Sequence, residues 1–178
     1  MNRSAERSTQ WLVWGLILLG VAARLLPHLW NATPVTAIAL LGATYLSKRW
    51  GILLPLTIVA VSDLVLGWHT TIPFTWGAFA AIGLLGWWLR KHPSPARIVV
   101  CSLAGSMLFF LVTNFGVWLV GGLYPNTPEG LWQCYVAAIP FFRNTLLGDL
   151  LSTGTLFGLY ATAGALRVIP VQVRSHSR

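Results

Sequence analysis

The chain has 178 residues, of which 56% are hydrophobic and 9% charged, with a formal net charge of +8 and a mean hydropathy of +0.69. A soluble domain carries about 25% charged residues, so this composition excludes a water-exposed globule and points to lipid as the solvent; the ten tryptophans suit membrane interfaces. A pI near 10.6 does not signal nucleic acid, because the basic residues fall in short clusters between apolar runs and form no stripe on a soluble face.

A helix needs about 20 residues to cross a hydrocarbon core of about 30 Å, and six segments qualify as candidates. Helix 1 is predicted over 10–27; it ends in Arg24 rather than at a small-residue cleavage site, so it reads as a retained helix. Helix 2, over 34–47, is short, with Thr33 as N-cap and Pro34 at the first helical position. Helix 3 covers 51–67 with Pro55 in its first turns, helix 4 covers 73–90, and helix 5 covers 97–121. The turn signals YPNTPEG follow, then LWQCYVAAI at 131–139, which is too short to span and is predicted to be a lid or interfacial helix. Helix 6 covers 143–168. The expectation is an all-α membrane protein: one six-helix domain over 1–170 and a polar cytoplasmic tail over 171–178. Of the 12 basic residues, Arg3, Arg7, Lys48, Arg49, Arg90, Lys91, Arg97, Arg167, Arg174 and Arg178 fall on one side of such a bundle. Only Arg24 and Arg143 fall at the other end. The positive-inside rule then puts both termini in the cytoplasm.

The polar residues within the spans gather toward the opposite, outer end. Arg24 lies in the last turn of helix 1, with His28, Asn31 and Thr33 in the loop after it. Asp63 is about one turn before the loop GWHTTIP, which carries His69; Asn114 is in the outer half of helix 5; Arg143, Asn144 and Asp149 open helix 6. Ionisable groups in spans usually face the bundle interior or a wet cavity. Trp30, Trp68, Phe74, Trp76, Trp118, Tyr124, Trp132, Tyr135, Phe141 and Phe142 lie at the same level. Some belong to the interfacial belt and others suit a pocket wall. The bland alternatives are a structural bridge between Arg24 or Arg143 and Asp63 or Asp149, arginines snorkelling to lipid phosphates, and loop-filling histidines. Cys101 reads as packing. Cys134 lies on the outer side, where packing competes with a ligand or redox role. Gly154 and Gly158 form a GxxxG pair that suits close helix packing.

There is no Walker A loop to power transport by ATP, no HExxH, GxSxG or DxxD-type signature, and no acidic relay in the inner half. Two cysteines are too few for a disulfide framework, and no zinc-type spacing exists. No internal repeat of the kind common in secondary transporters is present.

RLLPHLWNATPV at 24–35, SD at 62–63, GWH at 67–69, FFLVTNFGVW at 109–118 and IPFFRNTLLGD at 139–149 resemble the BtuM-type membrane proteins. These are similar to the S-components, the substrate-binding subunits of energy-coupling-factor vitamin transporters. The resemblance implies a six-helix bundle that binds cobalamin from the periplasm and carries it across a bacterial inner membrane. The protein would act alone or with an energising module of coupling subunit and ATPases. It also implies a cobalt-ligating cysteine that removes the upper cyanide ligand; the inward-facing candidate position in helix 4 is Ala80, which leaves His28 and His69 as possible cobalt ligands. The AxxxA-like docking face of S-components is absent from helix 1, whose small residues are Gly15, Gly20, Ala22 and Ala23. Arg24, His28, Asn31, Asp63, His69, Asn114, Tyr135, Arg143, Asn144 and Asp149 are the expected substrate-binding set. The leading expectation is a cobalamin transporter without resident cofactor, metal or enzymatic role. Its alternatives are an uptake protein for another small vitamin or metabolite, an intramembrane enzyme acting on a cobalamin-like or lipid substrate, and a structural subunit. A corrin needs a much larger cavity than a single-ring vitamin, so cavity size separates the first two.

Overall fold

The computed structural model describes residues 3–26 and 33–166. Six helices form it, with no strand among the described residues: α1 (Arg3–Leu25), α2 (Val35–Leu41), α3 (Lys48–Leu66), α4 (Ile72–Lys91), α5 (Pro95–Val120) and α6 (Pro128–Leu166). Four of them, α1, α3, α4 and α5, are long and apolar enough to cross a membrane. Their outward faces carry large apolar side chains, among them Trp11, Leu18, Leu64, Val100 and Leu111. Such a surface is stable in hydrocarbon and would aggregate in water. The predicted tail lies outside the described residues.

The fold is organised around its shortest helix. α2 has seven residues and runs directly into a five-residue π-helical segment, Gly42–Leu46. Together they rise roughly 18 Å, about half of a bilayer core and its margins. Every residue of α2 is buried, because α3, α4, α5 and α6 all pack on it. Val35, Ile38, Leu40 and Leu41 meet Leu54, Ile58, Val59, Ile82 and Leu89 in the central core. The helix opens at Val35 with Pro34 as its N-cap, one residue later than expected from Thr33–Pro34. The proline lacks an N–H, and this is the position where none is missed.

Glycines let the neighbours close in around the π segment. A Cβ on Gly51 would meet the Ala43 side chain, one on Gly83 the Gly51 carbonyl, and one on Gly86 the Ala43 side chain. Gly154 and Gly158, the expected packing pair, face open space with nothing within 4 Å. The close approach is therefore made by α3, α4 and the π segment and not by α6.

Basic residues collect at this end of the bundle. Arg90 donates from Nη1 to the carbonyls of Ala43 (3.0 Å) and Thr44 (3.3 Å), which satisfies acceptors left over at a helix C-terminus. Lys48 lies 5.9 Å from the Trp87 ring centroid, and Trp87 Nε1 donates to the Lys48 carbonyl at 2.6 Å. The opposite end gathers the loop after α3 with the end of α5, where the Thr70 hydroxyl donates to the Val120 carbonyl at 3.3 Å.

The largest departure from the sequence expectation is α6. Residues 131–139 form no separate lid or interfacial helix; they are continuous with the rest of a 39-residue helix, roughly 58 Å long. The start is well specified: the Thr127 hydroxyl accepts from the Gly130 N–H at 3.2 Å, Pro128 opens the helix and Glu129 sits in the first turn. Pro140 lies inside it. Its missing donor frees one carbonyl, a loss that membrane helices tolerate when neighbours compensate.

Gly83→Ala is expected to lower stability by about 2 kcal/mol despite alanine's better helix propensity, because the new methyl meets backbone that cannot move aside. Gly154→Ala is expected to be neutral or stabilising by up to about 1 kcal/mol. Equilibrium unfolding of both variants in detergent checks the contrast.

Candidate functional site

Because α2 stops partway along the bundle, the space beyond its N-terminal end is not filled by helix. A cavity of about 200 Å³ occupies it, lined by Thr33 and Thr36 beside Arg24, Leu66, Phe79, Phe109, Thr145 and Asp149. A second cavity of about 210 Å³ adjoins it between α5 and α6, with Thr75, Phe110, Thr113, Asn114, Val117, Ala138, Phe141 and Phe142 in its wall. Phe109 and Thr145 line both. The Phe109 ring leans on Phe79 with centroids 5.0 Å apart.

Two polar clusters border the first cavity. In one, Arg24 donates from Nη2 to Asp63 Oδ1 at 2.7 Å and from Nε to Ser62 Oγ at 2.6 Å. Trp76 Nε1 completes the carboxylate with a 2.9 Å bond to Oδ2. Asp63 is 1% exposed, and a carboxylate at that depth needs both a counter-charge and hydrogen bonds. The pairing expected as the bland alternative for Arg24 and Asp63 is thus formed, and Arg24 still contributes to the cavity wall.

The other cluster is a ladder of hydroxyls around Asp149. Ser106 Oγ donates to Asp149 Oδ2 at 2.7 Å, and the Thr36 side chain lines the same cavity. Ser102 Oγ and Thr153 Oγ1 are 3.1 Å apart one turn further along. Ser106 is eleven residues beyond the start of α5, so the ladder lies roughly 16 Å along that helix, near mid-depth. Asp149 is 2% exposed. Among the described residues the salt bridge is Arg24–Asp63, and Asp149 has hydroxyls where Asp63 has a guanidinium.

The remaining expected site residues divide. Asn114 lines the second cavity, with its amide tied to the Phe110 carbonyl at 2.8 Å. Tyr135 donates to the Leu111 carbonyl at 2.7 Å and stacks obliquely on Phe110, a structural clasp between α5 and α6. Cys134 is buried, its Sγ 3.4 Å from the Asn114 carbonyl, and Cys101 is buried in the core. Arg143 is exposed and Asn144 half-buried, and neither lines a cavity. Helical spacing explains this: Thr145 and Asp149 face inward, which turns Arg143 to the other side. His69 is exposed in the loop after α3, 3.3 Å from the Gly67 carbonyl through Nδ1, and also lies outside both cavities. Ala80 is half-buried on α4 and lines neither. His28 and Asn31, with Trp30, lie outside the described residues. No group of three or more metal-ligating side chains occurs among the described residues.

Sequence reasoning missed Thr36, Ser102, Ser106, Thr145 and Thr153. A signal existed: Ser102 and Ser106 on α5, and Thr145, Asp149 and Thr153 on α6, recur every fourth residue, which puts each set on one helical face.

Residues 4–171 match the profile of a family of unknown function, DUF6580. No curated protein and no solved structure matches the chain.

Asp63→Asn is expected to lower stability by about 3 kcal/mol, since it strands the Arg24 charge, and Trp76→Phe by about 1.5 kcal/mol. The double variant Arg24→Met with Asp63→Leu is expected to cost less than the sum of its single changes, because no buried charge is left alone. A double-mutant cycle by equilibrium unfolding measures the coupling; strict additivity would contradict it.

Proposed function

Since the chain belongs to the DUF6580 family, whose function is unknown, its activity has to be read from the cavity, and we propose that it is a membrane uptake protein that captures a small ligand at one end of the bundle. The carrying observation is the pair of adjoining cavities beyond α2, with polar groups from α1, α2, α5 and α6 set among phenylalanines. Apolar rings that give contact area, with placed polar groups that fix orientation, are the elements of a small-molecule site. The basic clusters at the opposite end support an orientation with that end, and both termini, in the cytoplasm of a bacterial inner membrane. The cavities then open outward, as in the S-components that the sequence motifs resemble. An energising partner would drive release, or the protein would act alone.

The enzyme alternative gains little support. Asp63 is held by Arg24 and Trp76, and His69 is exposed outside both cavities, so neither is placed to act as an acid–base group on a ligand there.

Cavities of about 200 and 210 Å³ suit a single-ring vitamin or metabolite. Even joined, they fall well short of a corrin with its side chains. Cobalamin is the second reading, favoured by the motifs at 24–35, 109–118 and 139–149, and it requires the outer end to open widely.

Uptake of labelled vitamins by bacteria lacking the matching importers tests this reading. Saturable uptake of a single-ring vitamin is expected, reduced about tenfold or more by Thr145→Leu, which intrudes on both cavities, with the protein's membrane level unchanged. Uptake of cobalamin in preference to every single-ring vitamin would assign the larger ligand. No uptake of any of them, with the chain present in the membrane, would overturn the proposal.

A further inference from the structure

Two ionisable side chains line the first cavity, Arg24 and Asp149, and Asp63 stands behind the arginine, while Arg143 of the same level is exposed on the other face of α6. Arg24 and Asp63 cancel through a 2.7 Å ion pair. Asp149 has no counter-charge among the described residues; it is 2% exposed, in the cavity wall and near mid-depth of the bundle. An ionised carboxylate at the centre of a membrane helix costs about 2.5–3.5 kcal/mol even on the most lenient scale. Hydroxyl donors offset part of that and supply no opposite charge. Ser106 Oγ is shared between Asp149 Oδ2 at 2.7 Å and the Ser102 carbonyl at 3.0 Å, and one hydroxyl proton serves one acceptor at a time. The site is thus built to hold a carboxylate in place and to leave its charge unmatched. The wall beside it adds the Phe79 and Phe109 rings, and a cation that seats over an aromatic face is attracted by it.

Resting on the reading of this cavity as a ligand site, we infer that its ligand carries a cationic nitrogen, which seats against the Asp149 carboxylate while an apolar or aromatic body lies on Phe79 and Phe109. Ser106 is then a positioning residue that aims the carboxylate. Arg24 is already matched by Asp63, so an anionic ligand of the same size is disfavoured. The hydroxyl ladder continues to Ser102 and Thr153 at 3.1 Å, and fixes α5 against α6 at the depth of the charge.

The test uses three small probes of nearly equal size: benzylammonium, benzyl alcohol and benzoate. Equilibrium binding is read from tryptophan fluorescence of the purified full chain in lipid nanodiscs at pH 7, against empty nanodiscs. Benzylammonium is expected to bind about tenfold or more tighter than benzyl alcohol, and benzoate more weakly than either. In Asp149→Asn the advantage of the cation over benzyl alcohol is expected to fall to within about twofold, with far-UV circular dichroism and size-exclusion elution matching the unmodified chain as the check that the variant is folded. Ser106→Ala is expected to give an intermediate advantage. Binding of all three probes with no preference for the cation, in the unmodified chain alone, overturns the charge inference and leaves the cavity as a ligand site. Binding of none of them overturns both the inference and the reading of the cavity on which it rests. A cation preference that survives in Asp149→Asn assigns the charge recognition elsewhere and overturns the role of Asp149.

Discussion

Backbone polar groups have no water to turn to in a hydrocarbon core, so a helix that stops partway across must be enclosed by protein or line a wet cavity. That constraint governs α2. Its seven residues and the five-residue π segment reach roughly half the necessary height, and everything around them answers to it. Arg90 meets the carbonyls at one end. Gly51, Gly83 and Gly86 let α3 and α4 come close enough to seal the segment from lipid. At the other end the chain leaves Thr33 and Thr36 at the edge of empty space, and that space is the cavity. The truncated helix and the cavity are thus one structural fact seen from two sides.

The same constraint separates the two buried acids. Asp63 sits where α1 supplies a guanidinium and α4 an indole N–H, so its charge is matched and its lone pairs are used. Asp149 lies deeper, at the level where α5 and α2 offer hydroxyls. Hydroxyls satisfy geometry without matching charge. Two carboxylates in one bundle therefore have different roles: one ties α1 and α4 to α3, the other faces a cavity. Sequence position alone gives no hint of this, since both acids lie in apolar runs next to residues that look equally able to pair.

Much of the fold was legible because lipid leaves so few options. Apolar length located α3, α4 and α5 within a few residues, and the clustering of Lys48, Arg49, Arg90, Lys91 and Arg97 at one end of the bundle followed from topology. The misread element was α6. LWQCYVAAI was judged by its apolar length, whereas the decisive signal was local: Thr127, Pro128 and Glu129 form a helix start, and nothing after it breaks the helix before Pro140. At the site, the motif 62–63 and Arg24 were found because charges are conspicuous in a greasy chain. Arg143 is as conspicuous, yet its helical face lies opposite Thr145 and Asp149 and it lines neither cavity. The hydroxyls were underrated because a lone Ser or Thr in a membrane helix commonly bonds its own carbonyl at i−4, as Thr113 and Thr44 do here. Only their repeat on facing helices marks them as a ladder.

The continuity of α6 changes what the cavity walls are. Ala138, Phe141 and Phe142 line the second cavity, Thr145 lines both, and Asp149 lines the first. A separate lid over 131–139 would make closure a loop motion independent of the deep carboxylate. One helix carrying all five residues couples them instead: a displacement of its first turns around Pro140, where one ladder bond is missing, shifts Ala138 relative to Phe141, Phe142, Thr145 and Asp149, which follow the proline. The rings at 141 and 142 and the carboxylate at 149 then keep one spacing, set by a single stretch of helix that Ser106 ties to α5, while the turns before the proline are the part of α6 free to move against them.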